Sequence, residues 1–172
     1  MGILNDRVVI ITGAGGGLGA AHARVFASED ACVVVNDING DAAQKVVDEI
    51  VAAGGRAVVN TSDITNYADS ENAVKQAVET YGDLHVVLNN AGVNRDRMFA
   101  SMTEAEWDTI MSVHLKGLVC ISSHAVHYWR DQSKAGNKVD ARIQYHFRRW
   151  PAGFDWPVQL RRRQGRHRRA DP

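Results

Sequence analysis

The chain opens with short apolar runs separated by longer amphipathic stretches. Arg7–Thr12 holds Val8, Val9, Ile10 and Ile11 in unbroken succession, and Ala31–Asn36 repeats the pattern with Val33, Val34 and Val35. Strands without polar alternation belong in parallel sheets covered by helices on both faces. Arg56–Asn60 and Leu84–Asn89 are predicted as the third and fourth strands. Between them lie helix patterns at Leu18–Ser28, Asp41–Ala53 and Tyr67–Tyr81. Val46, Val47, Ile50 and Val51 share one face of the second helix, which Gly54-Gly55 stops. Thr103 opens a long helix predicted to reach Trp129, and Glu106 completes a capping-box pattern with it. Strand and helix in alternation predict an α/β fold, a doubly wound parallel sheet of about four to five strands.

A length of 172 residues gives room for one domain, and 45% apolar with 23% charged residues excludes a disordered or collagen-like chain. Cys32 and Cys120 stand in apolar surroundings and read as small buried hydrophobes, not as a disulfide frame. No stretch approaches ~20 apolar residues. Asp6 stands where a myristoylation signal needs Ser or Thr. A cytoplasmic protein without a membrane partner is expected. The neutral total charge conceals a split. Residues 1–142 carry 12 Lys and Arg against 18 Asp and Glu, whereas residues 143–172 carry 8 Arg, no Lys and 2 Asp. Pro151, Pro157 and Pro172, all the prolines of the chain, fall in that last stretch.

Thr12-Gly13-Ala14-Gly15-Gly16-Gly17-Leu18-Gly19 joins the first strand to the first helix. Glycines there let the backbone approach a pyrophosphate, and the helix start offers free N–H groups and the positive end of its dipole. An ordinary turn is the alternative. Asp37 ends the second strand, where a carboxylate accepts hydrogen bonds from a ribose diol and repels a 2′-phosphate. That favours NAD over NADP, although Asn36-Asp37-Ile38-Asn39-Gly40 is also turn chemistry. Asn89-Asn90-Ala91-Gly92 ends the fourth strand with small residues after the two amides.

The spacing Thr-Gly-x-x-x-Gly-x-Gly, followed in register by Asp37, Asp63-Ile64 and Asn89-Asn90-Ala91-Gly92, resembles the short-chain dehydrogenase/reductase family from about Leu4 to Arg142. The resemblance implies a Rossmann-type domain over residues 1–142, a nicotinamide dinucleotide, and hydride transfer between it and a small-molecule secondary alcohol or ketone. It implies cofactor contacts from Gly13, Gly15, Gly16, Gly17, Leu18, Gly19, Asp37, Asp63, Ile64, Asn90, Ala91 and Gly92. Asp63 by itself reads equally as a helix-start residue. His114, within Val113-His114-Leu115-Lys116-Gly117, stands where the family usually has an Asn serving a catalytic proton relay. A His there resembles the branch acting on 3-hydroxyacyl thioesters; a ring satisfied by a backbone carbonyl is the alternative. Relatives usually pair through their long helices, which implies a homo-dimer or tetramer through Thr103–Trp129. Cys120, His124 and His127 share one helical face at a spacing a metal could use. No acidic or Cys partner accompanies them, so they are read as a packing face and no metal is expected.

The family's chemistry also needs a Ser, a Tyr, and a Lys four residues after the Tyr. A phenol titrates near ~10. A neighbouring ammonium and the oxidised nicotinamide ring favour the phenolate, which then acts as base at the substrate hydroxyl. This chain lacks the set: Tyr145 is followed at the fourth place by Arg149. The genetic code supplies a reason. Val158 to Gly165 can be written GTC CAA CTA CGC CGC CGC CAA GGC, and skipping the first base gives Ser-Asn-Tyr-Ala-Ala-Ala-Lys. The same offset places a Ser codon across Phe147 and Arg148, at the family's distance from that Tyr. A frameshift near Ile143 therefore accounts for the Arg-rich, Lys-free tail. Residues 143–172 are expected to be out of frame and disordered or poorly packed, with the fifth strand lost beyond Ile143. The chain as written is expected to be inactive. Two other readings stand beside this one. One is a non-catalytic nucleotide-binding fragment. The other is a nucleic-acid binder using Arg161-Arg162-Arg163 and Arg166 to Arg169, disfavoured because the frameshift already explains the arginines.

The gene sequence tests the frameshift. The shifted frame from about codon 143 is expected to encode the Ser, the Tyr and the Lys. An AGA codon at Arg161 would turn the Tyr codon into a stop and overturn the idea.

Overall fold

The structure, a computed structural model, describes residues 2–95 and 98–145. Its centre is a five-stranded sheet made of β1 (Val8–Thr12), β2 (Cys32–Asn36), β3 (Arg56–Asn60), β4 (Val86–Asn89) and β5 (Arg142–Tyr145). The strands run parallel in the order β3-β2-β1-β4-β5. Every residue of β1 and β2 is buried, which is why their sequences show no polar alternation. Alternate side chains go to opposite faces. Val9, Ile11, Val33 and Val35 pack with α1 (Gly17–Ser28) and α2 (Gly40–Ala52). Val8, Ile10, Val34 and Val87 pack on the other face with α3 (Tyr67–Tyr81) and α5 (Leu118–Lys134).

The helices start where local chemistry allows. Asn39 caps α2 by accepting from Ala42 N, and Asn66 caps α3 by accepting from Asp69 N. Thr103 and Glu106 form the capping box of α4 (Glu104–Met111) as the sequence predicts. The first four strands and three helices lie within two residues of their predicted bounds.

Two expectations change. The long helix is not uniform and does not stop at Trp129. A six-residue π-helical segment, Ser112–Gly117, separates α4 from α5, and α5 continues to Lys134. The wider turn seats Gly117 against Ile64, where an added Cβ would come within 2.9 Å of Ile64 Cδ1. The widening is confined to one short segment inside an otherwise α-helical run, and the apolar pattern of the sequence carries no separate signal for it. By length and composition alone, Glu104–Lys134 could cross a membrane. Here it lies along the domain, with Cys120, Ile121, Ala125 and Trp129 buried. Trp129 Nε1 donates to Leu84 O at 2.6 Å.

The second change concerns the fifth strand, expected to be lost beyond Ile143. β5 runs to Tyr145, across the expected boundary between residues 142 and 143, and pairs with β4 from Val86↔Arg142 to Asn89↔Tyr145. Ile143 packs against the α3/α5 core cluster, while Arg142 and Gln144 are exposed on the other side. Two half-buried side chains, Ile143 and Tyr145, face inward from this strand, and the edge of β4 is its template. The expectation for residues 146–172 lies outside the described residues.

Ile10 is fully buried between the strands and α3/α5. Ile10→Ala is expected to cost about 3 kcal/mol, read as a lower urea midpoint with unchanged slope.

Candidate cofactor site

Each of the first four strands ends in a buried polar residue: Thr12, Asn36, Asn60 and Asn89. Buried polar groups need partners, and here the partners stitch the strand ends together. Thr12 Oγ1 accepts from the backbone N–H groups of Asn90 at 3.1 Å and Ala91 at 3.0 Å. Asn90 Nδ2 donates to Thr12 O and Gly13 O, each at 3.0 Å. Asn36 Nδ2 donates to Asn60 Oδ1 at 2.7 Å and Ser62 O at 2.9 Å. Asn60 Nδ2 continues the chain of bonds to Gln76 Oε1 of α3 at 2.9 Å.

The glycine loop rests on this row. Gly13 has φ +62, the left-handed region, and a Cβ there would meet Ala91 Cα at 2.7 Å. A Cβ on Gly19 would strike Gly13 O and the Asn90 amide. Gly16 and Gly17 face open space. Gly15 N–H donates to Asp37 Oδ2 at 2.9 Å, and Asp37 Oδ1 accepts from Asn39 N at 2.9 Å. Asp37 thus bridges the end of β2 to the loop after β1. Leu18 is exposed in the first turn of α1.

The start of α1 differs from those of α2, α3 and α4. Gly16 provides no side-chain cap, and the first turn carries no acidic residue. Its free N–H groups, the positive end of the helix dipole and the open flank at Gly16 and Gly17 fit the pyrophosphate of a dinucleotide.

Around the ends of β4 and β5 a pocket is lined by Thr12, Ile64, Asn89, Ala91, Val113, His114, Leu118 and Tyr145. His114 sits in the π-helical segment with Nε2 at 2.8 Å from Val93 O and 3.0 Å from Val93 N. A ring nitrogen serves one of these at a time, as donor or as acceptor. A Cβ on Gly92 would lie 2.7 Å from His114 Cε1, so the ring's seat depends on that glycine. Asn89 Nδ2 donates to Ser122 Oγ at 3.2 Å, while Asn89 Oδ1 is buried without a partner among the described residues.

The structure therefore brings the loop glycines, Asp37, Asn90, Ala91 and Gly92 to one edge of the sheet. Asp63 is occupied locally: its Oδ1 accepts from Thr65 N and Thr65 Oγ1, both at 2.8 Å, and its N–H donates to Asp69 Oδ2 at 2.6 Å. Ile64 is buried beneath Gly117. Cys120 is buried, the His124 ring bonds Tyr67 O at 2.7 Å, and His127 is exposed. No three His, Cys, Asp or Glu side chains converge on a metal position among the described residues. Asn36 and Asn60 carry no functional reading in the sequence, and Thr12 enters there only as the first residue of the glycine spacing. Their signal was available: one polar residue closing an otherwise apolar strand.

Gly19→Ala adds a methyl group with nowhere to go. It is expected to destabilise the domain by about 1–3 kcal/mol, despite the better helix propensity of Ala. Thermal unfolding of the variant beside the parent measures it.

The short chain dehydrogenase family model matches residues 7–140. A hydroxyacyl-CoA dehydrogenase of Mycobacterium tuberculosis is 43% identical over 147 residues, covering 81% of this chain and 46% of that protein. Mouse peroxisomal multifunctional enzyme type 2 is 43% identical over 138 residues, covering 75% of this chain and 18% of that protein. A crystal structure of a short chain dehydrogenase from Mycobacterium avium superimposes with TM-score 0.81 at 51% identity, over 84% of this chain and 55% of the other. The chain spans about half or less of the length of these relatives. Members of this family are oxidoreductases that use a nicotinamide dinucleotide, and this chain belongs to the short-chain dehydrogenase/reductase family.

Proposed function

We propose that the described residues are the cofactor-binding half of an NAD-dependent oxidoreductase acting on a secondary alcohol or ketone, with a 3-hydroxyacyl thioester as the substrate class. The observation that carries the cofactor reading is Asp37, held by Gly15 N–H beside the uncapped start of α1. A carboxylate fixed there serves a ribose diol and repels an added phosphate. The bound nicotinamide would supply hydride exchange. The loop from Gly13 to Gly19 would hold the pyrophosphate, and Asn90, Ala91 and Gly92 would flank the cofactor where β4 ends. His114 and the name of the Mycobacterium tuberculosis relative support the thioester class.

The chain as written is proposed to bind cofactor without turnover. The family match ends at residue 140, just before the inferred frame change at Ile143, which supports loss of the Ser, the Tyr and the Lys. Exposed Leu115, Val119 and Val126 on the long helix support pairing of two copies. Burial raises both thiol pKa values, which fits two unreactive cysteines, and the cytoplasm is proposed as the location. Arg161-Arg162-Arg163 lies outside the described residues, and nucleic acid is not proposed as a partner.

Equilibrium titration of the 172-residue chain with NAD and NADP tests the reading. NAD is expected to bind more tightly, and Asp37→Ala to weaken NAD by about tenfold while narrowing the difference. Equal affinity of the parent for both would overturn the NAD assignment. Oxidation of secondary alcohols by the unaltered chain would overturn the claim of inactivity; restoration of the frame is expected to confer it.

A further inference from the structure

At the edge of the sheet opposite the glycine loop, His85 joins three strands. Its N–H donates to Val8 O at 2.9 Å, and its carbonyl accepts from Arg142 N at 2.9 Å. Its side chain adds a less usual bond: Val8 N–H donates to His85 Nδ1 at 3.1 Å. The imidazole takes the place of a backbone carbonyl at the start of β1. A ring nitrogen that accepts carries no proton. The neutral ring therefore holds its proton on Nε2, which faces Asp83 Oδ2 at 3.5 Å. A second proton has only Nδ1 to go to, and there it would confront the Val8 N–H.

The charged surroundings are mixed. Asp83 also accepts from Tyr128 OH of α5 at 2.9 Å, so part of its charge is already engaged. Arg7, next in sequence to Val8, pairs with Asp140 at 2.9 Å. Asp83 and Asp140 favour a charged ring, whereas burial and Arg7 oppose it, and burial is the largest influence. The outcome is a pKa below the usual histidine value. We propose that His85 is an acid-sensitive clasp of the sheet: neutral, its ring adds a bond that holds Val8 of β1 beside β4; protonated at Nδ1, it loses that bond and weakens the strand end, which the backbone bond from His85 N–H to Val8 O alone then holds.

The direction follows from linkage. An unfolded histidine takes up its proton near ~6.5, while the folded ring resists to lower pH. The contribution of His85 to stability is thus complete above that value and is lost as pH falls below it toward the folded pKa. The clasp is independent of the cofactor reading, since it involves no residue of the glycine loop.

His85→Asn separates the bond from the titration, because Asn Oδ1 can accept from Val8 N–H without changing charge. Thermal midpoints of the parent and the variant, both as the 172-residue chain, are compared from about pH 7.5 to about pH 5.5. The midpoint of the parent is expected to fall by about 3 °C more than that of the variant; equal falls overturn the proposal. Nitrogen-15 spectra of the parent provide a second test if the variant does not fold. A bare Nδ1 at neutral pH is expected, and a protonated Nδ1 overturns the idea.

Discussion

One hydroxyl group holds the cofactor side of this domain together. Thr12 Oγ1 accepts from two successive amides beyond β4, and the Asn90 side chain returns the bond to the backbone of Thr12 and Gly13. Neighbouring parallel strands have no hairpin between them, so their ends must be joined by side chains or left to water. The clasp sets the separation of the two loops, and the other close fits follow from it. Ala91 lies against Gly13, Asn90 lies against Gly19, and Gly92 leaves room for the His114 ring. Substitutions at these glycines act on one shared geometry and are expected to be non-additive.

A second tier of bonds extends the edge toward β3. Buried Asn36, Asn60 and Ser62 connect to half-buried Gln76 of α3, so that β2, β3 and α3 share their polar satisfaction. Such networks are costly when only partly satisfied. Asp37 leaves this network for the surface and takes the Gly15 amide. The carboxylate is thereby pre-oriented, and a ligand need not order it on arrival. Ordering a side chain on binding costs free energy, and a carboxylate already fixed avoids that cost.

Much of this was legible in the sequence. Val8 to Ile11 and Val33 to Val35 carry the signal of strands buried on both faces, and Thr103 with Glu106 announces a helix start. The glycine loop was legible because it stands between a strand and a helix. The π-helical turn at Ser112–Gly117 was not, because it arises from the fit of Gly117 on Ile64, a contact between residues distant in sequence. The role of His85 was equally hidden: a lone His at a strand start does not show which backbone group it will face. β5 was underestimated because four residues with two half-buried side chains, Ile143 and Tyr145, make a weak pattern, while the edge of β4 is a strong template.

The strand order β3-β2-β1-β4-β5 has a consequence for synthesis on the ribosome. The sheet begins in its middle and grows outward, first to one side and then to the other. β1 to β4, with α1 and α2 on one face and α3 on the other, are translated first, and α5 then completes the second face. Nascent chains fold from the N-terminus as they emerge. The nucleotide cradle of such a protein can therefore be complete while the residues that do the chemistry are still inside the exit tunnel. An error in the second half of the message leaves the residues of that cradle encoded, where the same error early in the message would remove them.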